Sequence, residues 1–269
     1  MHIVFWSCMP GHAAVSSSML SIACDCAGYQ KSFTGILQAQ YKKNNLQYPF
    51  FKLADKENVE QYNSVGMDSL IRAVRGGSIS GGIETAAVSF FDAKLSLYTQ
   101  STNYDGKAYY NNLLQSIPLL VKSLDTTFDL SLIDTAGGND PVSMAMLEKA
   151  DLIVVCLPQE DWILNYQFAK YKFDASRVFY LFGNYDPRSV ITIKSLMKSK
   201  RFKGKFNSKN CAYIMHDIDF ANSLSTSSLE KFFVKGMECD SSNPNYAYFN
   251  SVHNATRKLL TFAGMTPRK

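Results

Sequence analysis

The chain has 269 residues, of which 46% are apolar and 19% charged, with a formal net charge of +5. That composition excludes a disordered chain and suits one large α/β domain, while the mild charge argues only weakly for acidic partners such as lipid head groups or nucleic acid. The six cysteines (Cys8, Cys24, Cys26, Cys156, Cys211 and Cys239) form no paired C-x-x-C set, which argues against a zinc site, and no apolar run reaches the ~18 residues of a transmembrane helix.

His2–Ser7 (HIVFWS) is a short apolar run that predicts a buried strand. A loop follows, then a helix of small and apolar residues from about Val15 to Ala27. Lys31–Ala39 is the second predicted strand. Gln40–Ser64 is polar and aromatic, contains Pro49, and reads as irregular. Leu70, Ile71 and Val74 share one helix face, and a short helix is expected after the GGSISGG run at Gly76–Gly82. Two edge-like strands are predicted near Ala87–Phe91 and Lys94–Tyr98. Tyr109–Leu124 predicts a helix kinked at Pro118. Phe128–Asp134 predicts a buried strand ending in an acid. Asp151–Leu157 and Arg177–Phe182 are further predicted core strands, separated by a helix around Asp161–Lys172. A helix over Ser189–Lys200, a last strand at Cys211–Met215 and a closing helix at Tyr246–Phe262 complete the series. Strands alternating with helices imply an α/β fold with a doubly wound, mostly parallel sheet flanked by helices.

Ligands of open parallel sheets bind beyond the carboxyl ends of the strands. The first such end is Cys8–Ser18 (CMPGHAAVSSS). A phosphate-binding loop wraps backbone N–H groups around phosphate, sends a lysine to the outer phosphates, and holds Mg²⁺ with a Ser or Thr hydroxyl at the helix start. Here Gly11 is present and Ser16 or Ser17 is placed to hold the metal, but Ala14 stands where the second glycine belongs and Val15 where the lysine belongs. A generic strand–loop–helix is the alternative. Leu132–Gly138 (LIDTAGG) is the other informative end. Asp134 there is placed to order Mg²⁺ through water, and a following glycine lets backbone approach a γ-phosphate.

With these ends in place the chain resembles the ParA/MinD family of SIMIBI-class P-loop ATPases over most of its length, as a single nucleotide-binding domain spanning residues 1–269. The family's deviant KGGxGKT loop falls on Pro10–Ser17 (PGHAAVSS). The resemblance implies that Pro10, Gly11, His12, Ala13, Ala14, Val15, Ser16 and Ser17 surround the phosphates of ATP or ADP. It also implies that Asp134 and Ser16 serve Mg²⁺ and that Gly137 lies at the γ-phosphate. The family strand that opens with Ala-Asp falls on Ala150–Leu157. The strand that ends in the base-contacting Asn falls on Val178–Asn184, which implies base contact by Asn184. The late strand and its short helix fall on Tyr213–Phe233, placing Asp217 and Asp219 near the base, with a helix N-cap as the competing role for one of them.

The departures bear on catalysis. The two lysines of the family loop are Pro10 and Val15 here, and the family's D-x-D, whose second acid positions the attacking water, is Gln38-Ala39-Gln40, followed by Asn44-Asn45-Leu46. Gln40 can orient water, as glutamine does in some GTPases, but it is no carboxylate base. Phosphoryl transfer rests on positioning and charge stabilisation, so hydrolysis is expected to be weak or absent. Backbone amides, Ser16 and Mg²⁺ remain for binding. His12, inside the loop, either replaces a lysine in part or sits exposed. Lys42 and Lys43 reach the phosphates or form a solvated turn. Arg72 and Arg75 read as surface charges, Ser223–Ser228 as a cap and turn, and Ser251–Lys269 as a docked closing helix rather than a membrane tail.

The resemblance further implies a nucleotide-dependent homodimer that positions cargo. The atypical loop resembles that of TadZ-like pilus-localisation proteins. The expectation is a positioning or assembly factor for a pilus or secretion machine, cytoplasmic or peripheral at the inner membrane face. The net charge gives little support to direct DNA binding. A nucleotide-independent scaffold, and a working ATPase with charge borrowed from His12, Lys42 or a partner, are the alternatives.

Overall fold

The computed structural model describes residues 1–41, 46–51, 65–76, 82–101 and 105–268. Eight strands form one sheet: β1 (His2–Trp6), β2 (Thr34–Gln38), β3 (Val88–Phe90), β4 (Leu95–Tyr98), β5 (Leu130–Asp134), β6 (Leu152–Leu157), β7 (Val178–Tyr185) and β8 (Cys211–Met215). Their order across the sheet is β3-β4-β2-β5-β1-β6-β7-β8. Every neighbouring pair is parallel except β3, which runs antiparallel on β4.

The central strands are apolar at successive positions because the sheet is covered on both faces. Val4, Trp6, Leu37, Ile133 and Val155 join one core cluster. Ile3, Phe5, Ile36, Leu132 and Val154 join the other. The first face is covered by α2 (Met67–Gly76), α3 (Gly106–Thr127), α4 (Pro141–Lys149), α5 (Asp161–Lys170) and α6 (Ile193–Lys198). The second carries α1 (Val15–Gly28), α7 (Ile218–Ser225), α8 (Leu229–Gly236) and α9 (Tyr246–Phe262). The closing helix α9 docks on β8 and α1, where Tyr248 and Ser21 share a hydroxyl hydrogen bond of 2.8 Å. Among the described residues no helix is long and apolar enough to cross a membrane.

Several expectations need correction. The strand near Lys94–Tyr98 is not an edge: β4 is buried throughout and paired on both sides, and only β3 is marginal. The helix through Pro118 is longer at both ends than Tyr109–Leu124, running 22 residues from Gly106 to Thr127. Pro118 lies on its exposed side, where water can serve the carbonyl that loses its partner. The second strand begins only at Thr34, after Lys31 takes φ 59. The helix expected over Ser189–Lys200 is confined to Ile193–Lys198 by a capping box at Thr192 and Ser195. Helix α4 was not anticipated, although Asp140 caps it and Pro141 opens it. The short helix expected within Tyr213–Phe233 is two helices, α7 and the start of α8. The short helix after the glycine run is a 3₁₀ turn at Ile83–Ala86.

Candidate functional site

Strand β1 ends between β5 and β6, where the strand order reverses, and this is the switch point at which open α/β sheets hold ligands. The loop from Ser7 to Ala14 is laced to the end of β5. Gly138 N–H donates to the Ser7 carbonyl at 2.8 Å, Trp6 Nε1 to the Gly138 carbonyl at 3.1 Å, and Thr135 Oγ1 to the Phe5 carbonyl at 2.8 Å. Gly137 has φ 79, and a Cβ there would lie 2.7 Å from the Ser7 carbonyl oxygen. Only glycine lets the two loops approach this closely. From the β7 side, a Cβ on Gly183 would lie 2.5 Å from Ser18 Oγ and 3.0 Å from Ala14 Cβ.

Ala14 is the N-cap of α1, with φ 48 and ψ 40, and no side chain caps the helix. A left-handed alanine costs about 1–2 kcal/mol, so the loop geometry is kept without the glycine that would suit it. The first turn of α1 has no acid. Its N–H groups, which have no intrahelical partners, and the positive end of the helix dipole are therefore open to an anion.

Behind this turn lies Asp134, fully buried. Its Oδ2 accepts from Ser16 Oγ at 2.8 Å and from Gln40 Nε2 at 2.7 Å. Its Oδ1 is buried without a hydrogen-bond partner. Burial pushes the carboxyl up to about 6, and the hydrogen bonds from Ser16 and Gln40 only partly offset it. The amide at Gln40 can donate to Asp134, whereas an acid at that position would place a second carboxylate against it.

Loop, helix start and β5 end enclose a cleft of about 550 Å³ whose walls include Pro10, Gly11, Ala14, Val15, Ser16 and Gly137. Ser17 and Gln40 also face it. Among the described residues no lysine or arginine lines this cleft, and the ionisable group beside it is an acid. The donor set is all oxygen: a serine hydroxyl against a carboxylate with one unpartnered atom, which fits a hard divalent cation such as Mg²⁺. Ser16 and Asp134 would hold it, and it would supply the positive charge the walls lack. For a phosphate the cleft offers backbone dipoles without a side-chain charge.

Not every predicted residue reaches the cleft. Ala13 is buried and His12 turns outward, its Nδ1 3.7 Å from Glu160 and its ring 5.9 Å from Trp162. Neither lines the cleft, nor do Asn184 and Asp217. Asn184 is exposed with φ 49 where the β7–β8 register shifts, a left-handed position that asparagine tolerates. Asp217 caps α7, accepting from Phe220 N–H at 2.8 Å. Lys42, Lys43, Asn44 and Asn45 lie outside the described residues. Leu20, Leu46, Pro49 and Leu224 also line the cleft and carry no signal in sequence beyond being apolar. Gly183 was legible only as a glycine beside Asn184.

No protein-family model matches the chain, and no curated protein matches it in sequence. Solved structures do match in shape. A ParA family ATPase from Chlorobium tepidum superposes with a TM-score of 0.65 at 15% identity, covering 88% of this chain and 98% of the other. The fold is that of the ParA/MinD ATPases. The septum site-determining protein MinD of Pyrococcus horikoshii, complexed with Mg-ADP, gives a TM-score of 0.65 at 11% identity, with 98% of each chain covered. A chain of the MinC:MinD cell division complex of Aquifex aeolicus gives 0.62 at 13% identity, covering 97% of this chain and 95% of that one. At these identities the likeness establishes a ParA/MinD-like fold.

Proposed function

We propose that this chain is a degenerate ParA/MinD-like P-loop protein that binds ATP or ADP with Mg²⁺ and hydrolyses it weakly or not at all. It acts as a dimeric positioning or assembly factor in the cytoplasm, on a pilus, a secretion machine or comparable cargo. The observation that carries the reading is the cleft itself. A phosphate-type loop, an uncapped helix start and a Ser16–Asp134 pair are all kept, while Val15 and Gln40 stand where charge is needed. Dipoles and Mg²⁺ suffice to hold a nucleotide. Without a lysine and a water-positioning acid, the charge that develops in the transition state is left unstabilised. The matched MinD holds Mg-ADP and another is complexed with MinC, which supports a nucleotide ligand and a protein partner for this chain.

A nucleotide-independent scaffold is the second reading. It is favoured by the way Ser16 and Gln40 already satisfy Asp134 Oδ2 from within the protein. Melting with and without ATP–Mg²⁺ separates the two. A ligand at 100 times its dissociation constant adds about 2.7 kcal/mol, a readily measured rise in Tm, and no rise at millimolar ligand leaves the scaffold. Steady-state hydrolysis that disappears in Gln40→Ala would overturn the claim of weak turnover.

A further inference from the structure

The whole-chain charge is mild, yet its distribution is not. Between Lys194 and Lys209 there are seven lysines and arginines and no acid. Only Arg201 among these seven forms an ion pair with a described residue, Asp161. At the end of this stretch, where the chain enters β8 against the C-terminal part of α9, a pocket of about 660 Å³ opens. Lys209, Arg257 and Lys258 line it, with Ser208, Asn254 and Phe262 beside them and no carboxylate in its walls.

We infer that this pocket is a second site, for the phosphoryl group of an organic phosphate, separate from the cleft at the carboxyl ends of the strands. Three cations that converge without a counter-ion repel one another, and an anion relieves that repulsion. None of the three forms an ion pair with a described residue. Lys258 Nζ has one long contact, 3.4 Å to the Cys211 carbonyl, which leaves donors to spare. The guanidinium of Arg257 can clamp two phosphate oxygens while the ammonium groups act as point charges. Ser208 and Asn254 add neutral donors. The half-buried Phe262 gives the pocket an apolar wall, which suits the organic part of such a ligand, and the volume lies in the range of small-molecule sites. The contrast within the molecule is sharp: the loop that should carry the phosphate-binding cation has none, and three cations face a pocket elsewhere. The inference does not rest on nucleotide binding in the cleft.

The test uses the full chain and inorganic pyrophosphate, followed by calorimetry and by Tm. The wild type should bind, more weakly as salt rises. Arg257→Ala/Lys258→Ala, both exposed positions, should fold normally and bind at least tenfold more weakly. Unchanged affinity in that double variant, or no binding at millimolar pyrophosphate, would overturn the site. Loss of binding in Ser16→Ala instead would put pyrophosphate in the cleft and equally overturn it. Poly-glutamate binding as tightly as pyrophosphate would reduce the pocket to a generic basic surface and refute the phosphate class. Sedimentation with phosphatidylglycerol vesicles, abolished by the double variant, identifies the phosphate as a lipid headgroup. Binding of soluble pyrophosphate without sedimentation places the ligand among soluble phosphate compounds rather than lipids.

Discussion

Gln40 donates its side-chain amide to Asp134 across 2.7 Å, on the same carboxylate oxygen that Ser16 reaches at 2.8 Å. A buried acid behind the cleft is thereby held by two neutral donors and no cation among the described residues. Its energetics make the first prediction. Asp134 sits at about 6 because burial outweighs those hydrogen bonds, against an unfolded value near 4. An acid whose folded pKa is raised binds its proton more tightly when folded. Stability is therefore greatest with respect to this group below about pH 4 and falls as the pH rises through about 6, by about 3 kcal/mol in all. Asp134→Asn should remove that slope. Urea unfolding at pH 4 should find the variant close to wild type, and at pH 8 it should be more stable by about 1–3 kcal/mol.

Restoring charge makes the second. Val15 lines the cleft at the helix start, so Val15→Lys should bring an ammonium group to the phosphates. A hydrogen bond to a charged group contributes about 1.5–3 kcal/mol, which is roughly tenfold or more in affinity for ATP–Mg²⁺ by calorimetry. Turnover should stay low, because Gln40 still replaces the acid. An unchanged affinity would mean that residue 15 does not face the phosphates.

The close approach of the two loops makes the third. Gly137→Ala meets a backbone oxygen at 2.7 Å and keeps a positive φ, whereas Gly138→Ala has a positive φ but nothing nearer than 3.9 Å. Thermal melting should show the Gly137 variant losing about 1–3 kcal/mol more than the Gly138 variant. Equal losses would show that φ strain alone matters there.

Asp25 and His253 make the fourth. The Asp25 carboxyl is buried in α1 and lies against the His253 imidazole of α9, with the Tyr29 ring tilted 4.5 Å from that imidazole. His253→Ala should cost about 1–3 kcal/mol by leaving the buried Asp25 carboxyl without its neighbour. Asp25→Asn in the same chain should recover most of it, and a double-mutant cycle measures the coupling.

The order of strands and helices was legible because a sheet buried on both faces writes long apolar runs such as Leu152–Leu157, and because Gly11 and Asp134 punctuate strand ends. The marginal elements were not. Helix α4 is short and weakly patterned, so its Asp140–Pro141 start passed unread. Strand β4 looked like an edge because β3 is its neighbour in sequence, whereas its inner partner β2 lies far earlier in the chain. In the site, the polar candidates Ser16, Gln40 and Asp134 were visible in the sequence and meet in space, Ser16 and Gln40 both donating hydrogen bonds to Asp134. His12 turns away to lie beside Glu160 and Trp162, which are remote in sequence. Asp217 and Asn184 serve the backbone, one as a cap and the other at a left-handed register shift. The apolar walls Leu46 and Leu224 are set by tertiary packing, which leaves no local signature. The basic pocket escaped a whole-chain charge of +5 because acids elsewhere cancel it.

The central claim is that the cleft keeps a nucleotide without consuming it. Protein incubated with ATP–Mg²⁺ and passed over a gel-filtration column answers it in one measurement, when the nucleotide that co-elutes with the protein is released and identified. The account predicts intact ATP in the protein peak. ADP with free phosphate would contradict the loss of catalysis, and ATP confined to the small-molecule fractions would contradict the retention of binding.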